Sequence, residues 1–133
     1  MNGDRVRFIT HQGQRILLVD LSGCTATQVG IICDLVPSYV TAEPEHSVLL
    51  LGDFTNAQID RNALEHLKIA MVYDRPHVKR SAWIGAANFP KAFYDNVKAF
   101  TVREFPIFET REQALNYLVG EELEETQELA SPA

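Results

Sequence analysis

The sequence predicts an α/β domain with a mostly parallel sheet, an antiparallel hairpin strand at its edge and four helices packed on it. Three observations carry this expectation. Val48-Leu49-Leu50-Leu51 is an uninterrupted apolar run closed by Gly52-Asp53. Such a run fits a strand covered on both faces, because half-exposed antiparallel strands alternate; it is too short for a buried helix, which Gly52-Asp53 would stop at once. On either side, short apolar runs alternate with segments of helical spacing in the order β-β-α-β-α-β-α-β-α. That order implies parallel strands joined by right-handed crossovers. Thr25-x-x-Gln28 and Thr110-x-x-Gln113 are capping boxes, each marking a helix start.

Taken in order, Val6 to Thr10 reads as an edge strand, His11 to Gln14 as a four-residue loop, and Arg15 to Leu21 as the second strand of a hairpin. After Ser22-Gly23-Cys24, the apolar stripe Val29, Ile32, Cys33, Val36 and Val40 predicts a helix, with Pro37 kinking or ending it near Val36. The central strand follows. Asp60 is a good N-cap for a helix running to about Arg75, with Ala63, Leu64, Leu67, Ala70 and Met71 on its inner face. His77 to Arg80 reads as a small basic step before a short buried strand, Ser81 to Gly85. Asn88-Phe89-Pro90 opens a helix whose stripe is Phe89, Phe93, Val97 and Phe100. Phe105 to Phe108 is the last strand, and the last helix runs from Thr110 to a Gly120 C-cap.

The 133 residues fit one domain with its own core, expected over residues 1–120. Net charge is −6, but five acids fall in residues 121–133, which carry no Lys or Arg. That stretch reads as an acidic, disordered tail. The remainder holds 13 acidic and 12 basic residues, so the body has no electrostatic basis for binding nucleic acid. Two cysteines are too few for a disulfide framework, the amino terminus lacks a signal peptide's apolar segment, and no run could span a bilayer. A reduced, cytoplasmic setting is the expectation.

Candidate functional residues gather at predicted strand ends. Asp53, Phe54, Thr55 and Asn56 follow the central run, and Asp20 and Ser22 end the strand before it. In α/β sheets this carboxyl edge is where sites lie. Asp53, Thr55 and Asn56 can contact a partner, Thr55 can accept a phosphate, or Asp53 and Asn56 can simply tie down a turn. Asp20 and Asp53 could hold a divalent ion as receiver domains do, but Asp20 stands beside Leu21 and no Lys follows the last strand. Cys24, near a helix start, could have a lowered pKa. Gly85 to Asn88 could cradle an anion but reads more simply as a turn. The four histidines are scattered, no GxSxG elbow occurs, and no metal, cofactor or enzymatic activity is expected.

The stretches SVLLLGDFTNAQID, HVKRSAWIGA and FPIFETREQALNYLV, in this order, resemble the SpoIIAA-like proteins of the STAS superfamily. The resemblance implies a four- to five-stranded sheet wrapped by helices, and a bacterial regulatory or interaction module rather than an enzyme. In anti-sigma-factor antagonists of that superfamily an Asp-Ser-Ser/Thr-Gly sequence carries the phosphorylated hydroxyl at a helix start; here the stretch is Asp53-Phe54-Thr55-Asn56. The chain also resembles CRAL-TRIO-type lipid-binding folds, which implies an apolar small-molecule ligand. Three functions follow as expectations. The first is binding of a partner protein through Asp20, Ser22, Asp53, Phe54, Thr55 and Asn56. The second is carriage or sensing of a small apolar ligand, and the third is a phosphoacceptor domain labelled at Asp53. A homodimer is compatible with each.

Overall fold

The computed structural model describes residues 2–85, 95 and 106–120. A 3-10 turn (Asn2–Arg5) leads into β1 (Val6–His11) and β2 (Gln14–Asp20). Then come α1 (Ala26–Val40), β3 (Val48–Asp53), α2 (Arg61–Asp74), β4 (Val78–Ile84), β5 (Ile107–Phe108) and α3 (Arg111–Val119). The sheet order is β1-β2-β3-β4-β5, antiparallel between β1 and β2 and parallel elsewhere. The apolar run of β3 therefore occupies the middle of the sheet, as its pattern requires.

Strand alternation divides the core in two. Leu17, Val19, Val48 and Trp83 face α1 and α2, joined by Val29, Ile32, Val36 and Leu67 from those helices. Ile16, Leu18, Leu49, Leu51, Ala82 and Ile84 face the other way, toward Ala114 and Leu118 of α3. Each fully buried aliphatic side chain here contributes about 1.5–3 kcal/mol. Because Asp20 and Asp53 share the parity of Leu18 and Leu51, both carboxylates end up on the α3 side.

Both capping boxes form. Thr25 accepts from the Gln28 N–H at 3.2 Å while Gln28 accepts from the Thr25 N–H at 2.9 Å, and Thr110 and Gln113 repeat the exchange at 3.1 and 3.2 Å. Asp60 caps α2 through the Ala63 N–H at 2.7 Å. At Gly120, φ is −94°, and a Cβ there would lie 2.8 Å from the Asn116 carbonyl oxygen, so glycine is required by space.

Several boundaries differ from expectation. The hairpin loop is two residues, Gln12-Gly13 with φ of 52° and 80°, and His11 pairs with Gln14; two successive left-handed residues match the strand twist and close the turn sooner. Helix α1 does not end near Val36 but continues through Pro37 to Val40. Burial of Val36 and Val40 outweighs the missing donor, and the Thr41 N–H and hydroxyl both bond the Pro37 carbonyl oxygen, at 2.8 and 2.7 Å. Strand β4 starts at Val78, which pairs with Val48 beside a register shift, so Lys79 and Arg80 of the expected basic step are part of the strand and His77 precedes it. The helix expected from Asn88, the strand start at Phe105 and the acidic tail lie outside the described residues.

Candidate functional site

The carboxyl ends of β2 and β3 carry the same local device twice. Asp20 accepts from the Ser22 N–H at 3.0 Å and its hydroxyl at 2.6 Å. Asp53, its register neighbour, accepts from the Thr55 N–H at 3.0 Å and its hydroxyl at 2.7 Å. Each Asp-x-Ser/Thr bracket folds the chain back as it leaves the sheet. Backbone bonds of 2.8 Å lace the exits together: Leu21 N–H to Asp53, Gly23 N–H to Thr55 and Phe54 N–H to Ile84. Gly85, at φ +75°, closes over this lattice; a Cβ on it would lie 2.4 Å from the Thr55 nitrogen. Only glycine permits both that conformation and that approach.

Two arginines complete the rim. Arg111, the first residue of α3, donates to Asp53 Oδ2 at 2.6 Å and lies 4.0 Å from Asp20 Oδ2. Arg5 donates to the Asp20 and Ser22 carbonyl oxygens at 3.3 and 2.7 Å. Burial pushes the Asp53 carboxyl up, but the hydrogen bonds from Arg111 and Thr55 outweigh it and hold the pKa below the ordinary value. Asp53 is thus an ionised, acceptor-saturated group. A guanidinium stands where a shared divalent ion was considered.

Thr55 and Asn56 are exposed, and Asn56 adopts φ 59°, which asparagine tolerates. Thr55 does not open a helix: five residues separate it from Arg61, and Asp60 holds the cap. The favourable helix-terminus field that would stabilise a phosphate is therefore not at Thr55. Cys24 is buried, and burial pushes its thiol up rather than down.

Phe54 departs from its expected place in an exposed contact surface. It is 2% exposed and turns to the opposite face, meeting Trp83 with ring centroids 4.5 Å apart. Burying both rings wins over exposing one. Gly52 leaves the space, since a Cβ there would lie 3.0 Å from the Phe54 ring. The large exposed apolar side chains among the described residues are Ile31 on α1 and Ile69, Val72 and Tyr73 on α2, not a patch around Phe54.

The aromatic pair lines a cavity of about 70 Å³ between the sheet and helices α1 and α2. Its walls include Val19, Leu21, Val36, Leu50, Leu67 and Met71. Asp74 and Val78 also line it. Asp74 is 6% exposed, and its Oδ1 has no hydrogen-bond partner among the described residues. Burial pushes its carboxyl up to about 7. Ser81 and Arg75 supply the remaining polar lining. The expected cavity residue Trp83 is present, while Phe93 and Val97 lie outside the described residues.

Asp20, Ser22, Asp53 and Thr55 are thus brought together, Asn56 sits beside them, and Phe54 is sent elsewhere. Arg111, Arg5 and Asp74 do not stand out in the sequence. A legible signal for the rim was the repeated Asp-Leu-Ser and Asp-Phe-Thr at two strand ends. Nothing local ties Arg111 to a carboxylate 58 positions earlier.

No protein-family model matches the chain, and no curated protein matches its sequence. Its structure is similar to the crystal structure of a protein from Shewanella loihica PV-4, described as an uncharacterized member of the DUF3478 family with a SpoIIAA-like fold. The TM-score is 0.63 at 20% identity, over 85% of this chain and 91% of that one. The mixed five-stranded sheet, its single antiparallel pair and the placement of its helices agree with that likeness: the chain has a SpoIIAA-like fold.

Proposed function

We propose that this chain is a non-enzymatic binding module of STAS type that carries or senses a small apolar molecule between its sheet and helices α1 and α2. The observation behind this reading is the inward turn of Phe54. It removes the large apolar side chain from the rim and adds it, with Trp83, to an apolar cavity. The volume of about 70 Å³ limits the enclosed part of the ligand to a few heavy atoms, roughly half the space of a cavity that admits benzene. The rim argues for binding over chemistry as well, because its carboxylates are consumed by Ser22, Thr55 and Arg111.

Trp83 is the sole tryptophan of the sequence, so its emission reports on the cavity directly. Protein purified gently from its source cells is expected to show added mass under native mass spectrometry that disappears on denaturation. Its Trp83 emission should shift when that mass is removed. Native mass equal to sequence mass, together with constant emission across a series of short-chain alcohols, would overturn the reading.

A second reading, contact of the rim with a partner protein, is favoured by the exposure of Thr55 and Asn56 on a backbone fixed by the lattice of hydrogen bonds. Loss of a captured partner on Thr55→Ala, with Trp83 emission unchanged, would support it. Partner binding that survives Thr55→Ala and Asn56→Ala would remove it.

A further inference from the structure

The cavity has mostly apolar walls and includes a carboxyl, Asp74, whose Oδ1 meets no hydrogen-bond partner among the described residues. Val78, Ser81 and Trp83 of β4 all contribute to its lining. Leu50, Met71 and Ser81 are half-buried and Arg75 is exposed, which marks where the cavity opens.

Asp74 does not follow from the needs of the fold. It ends α2, where the helix field disfavours a negative charge. Its Oδ1 is shielded from solvent and meets no donor among the described residues. Arg75, the next residue, lines the same cavity. A buried carboxyl left in this condition is costly, and buried charges are ordinarily paired or hydrogen-bonded. Asp53, paired with Arg111, obeys that rule.

We infer that Asp74 is the polar anchor of the cavity, and that the ligand is an aliphatic primary amine whose ammonium group meets this carboxyl while its chain lies among the apolar walls. The inference rests on the proposal that the cavity holds a small apolar molecule. An ammonium is preferred to a hydroxyl because it supplies a donor together with a charge opposite to that of the ionised carboxyl. A carboxylate ligand supplies neither to Asp74.

The test is a titration followed by Trp83 emission, using hexylamine, hexanol and hexanoate on the full chain near neutral pH. Hexylamine is expected to bind at least about tenfold more tightly than hexanol, with hexanoate not binding; a tenfold ratio corresponds to one charge-assisted contact. Asp74→Asn should remove the preference while keeping the affinity for hexanol. In the unaltered protein, the Asp74 side-chain carboxyl carbon resonance should move on adding hexylamine and stay fixed on adding hexanol, a readout that does not depend on the variant folding. Equal affinity for hexylamine and hexanol would overturn the inference and leave the apolar-ligand reading standing. Unchanged hexylamine binding by Asp74→Asn would do the same. No response to either hexylamine or hexanol would overturn both.

Discussion

Asp53 and Asp74 are both buried carboxylates in one small domain, and their surroundings are opposite. Asp53 ends the central strand, accepts from Thr55 twice and from Arg111, and its pKa lies below the ordinary value. Asp74 ends a helix and has one oxygen without a partner among the described residues; burial raises its carboxyl to about 7. The first is ionised because its partners compensate desolvation, and the second is pushed toward the neutral acid because nothing does. Burial by itself therefore says little about a carboxylate's role. The completeness of its hydrogen bonding separates a structural group from one left for a ligand.

The comparison breaks most sharply at Arg111. Arg111→Met would leave Asp53 buried without its counter-charge. A fully buried pair broken on one side loses about 3–5 kcal/mol; the Arg111 side chain is 40% exposed, so solvent screening reduces the expected loss. We expect roughly 2–3 kcal/mol by urea unfolding at neutral pH. A loss below about 0.5 kcal/mol, the range of surface substitutions, would mean that Asp53 is held by Thr55 alone. Because the folded pKa of Asp53 is depressed, its stabilising contribution is present above the unfolded value and disappears as pH falls through the folded one. The Arg111→Met deficit should shrink in acid accordingly.

Gly85→Ala tests the same rim without touching a charge. The added methyl meets backbone, 2.4 Å from the Thr55 nitrogen, and the left-handed conformation is strained for alanine. About 2 kcal/mol is expected, with the loss independent of pH, read from the unfolding midpoint. A pH-independent loss here beside a pH-dependent one at Arg111 would separate steric closure from electrostatics.

At Asp74 the sign reverses. Its folded pKa of about 7 lies above the unfolded reference of 3.8. The folded state therefore holds its proton where the unfolded state releases it, and stability falls as pH rises across that window. The full effect of such a shift is on the order of 4 kcal/mol, an upper bound because side chains and solvent relax around the charge. Asp74→Asn should stabilise the protein by about 1–2 kcal/mol near pH 8 and change little near pH 4. Unfolding curves at the two pH values decide the point: a variant less stable than the parent at both would show that Asp74 makes a needed contact.

What the sequence makes legible is what depends on neighbours in the chain. The run at Val48 to Leu51 identifies a doubly covered strand because no polar face interrupts it, and the capping boxes at Thr25 and Thr110 place two helix starts because both partners lie within one turn. Asp20 and Asp53 can be assigned to one edge because parallel strands end together. Pro37 misleads, since local propensity says stop while the burial of Val40 says continue. Phe54 misleads for a related reason: as part of a polar turn it reads as exposed, but Gly52 makes room for its ring against Trp83. The pairing of Asp53 with Arg111 and the isolation of Asp74 are products of tertiary packing, and no spacing rule reaches them.

The smallest effect compares the two brackets themselves. Thr55→Ala removes a hydroxyl from Asp53, whose side chain is 7% exposed, and Ser22→Ala removes one from Asp20, whose side chain is 20% exposed. A hydrogen bond to a charged group is worth about 1.5–3 kcal/mol when buried, and solvent replaces part of it at the more exposed site. Thr55→Ala should lose about 1.5 kcal/mol and Ser22→Ala about half of that, measured side by side in urea. The backbone N–H of each bracket remains, so neither variant should change the course of the chain at the strand end. Hexanol affinity by Trp83 emission should be the same in both, because the cavity lies on the opposite face of the sheet from these carboxylates. Equal losses at the two positions would show that the rim behaves as one evenly solvated surface, and the claim that Asp53 is the more enclosed of the pair would fall.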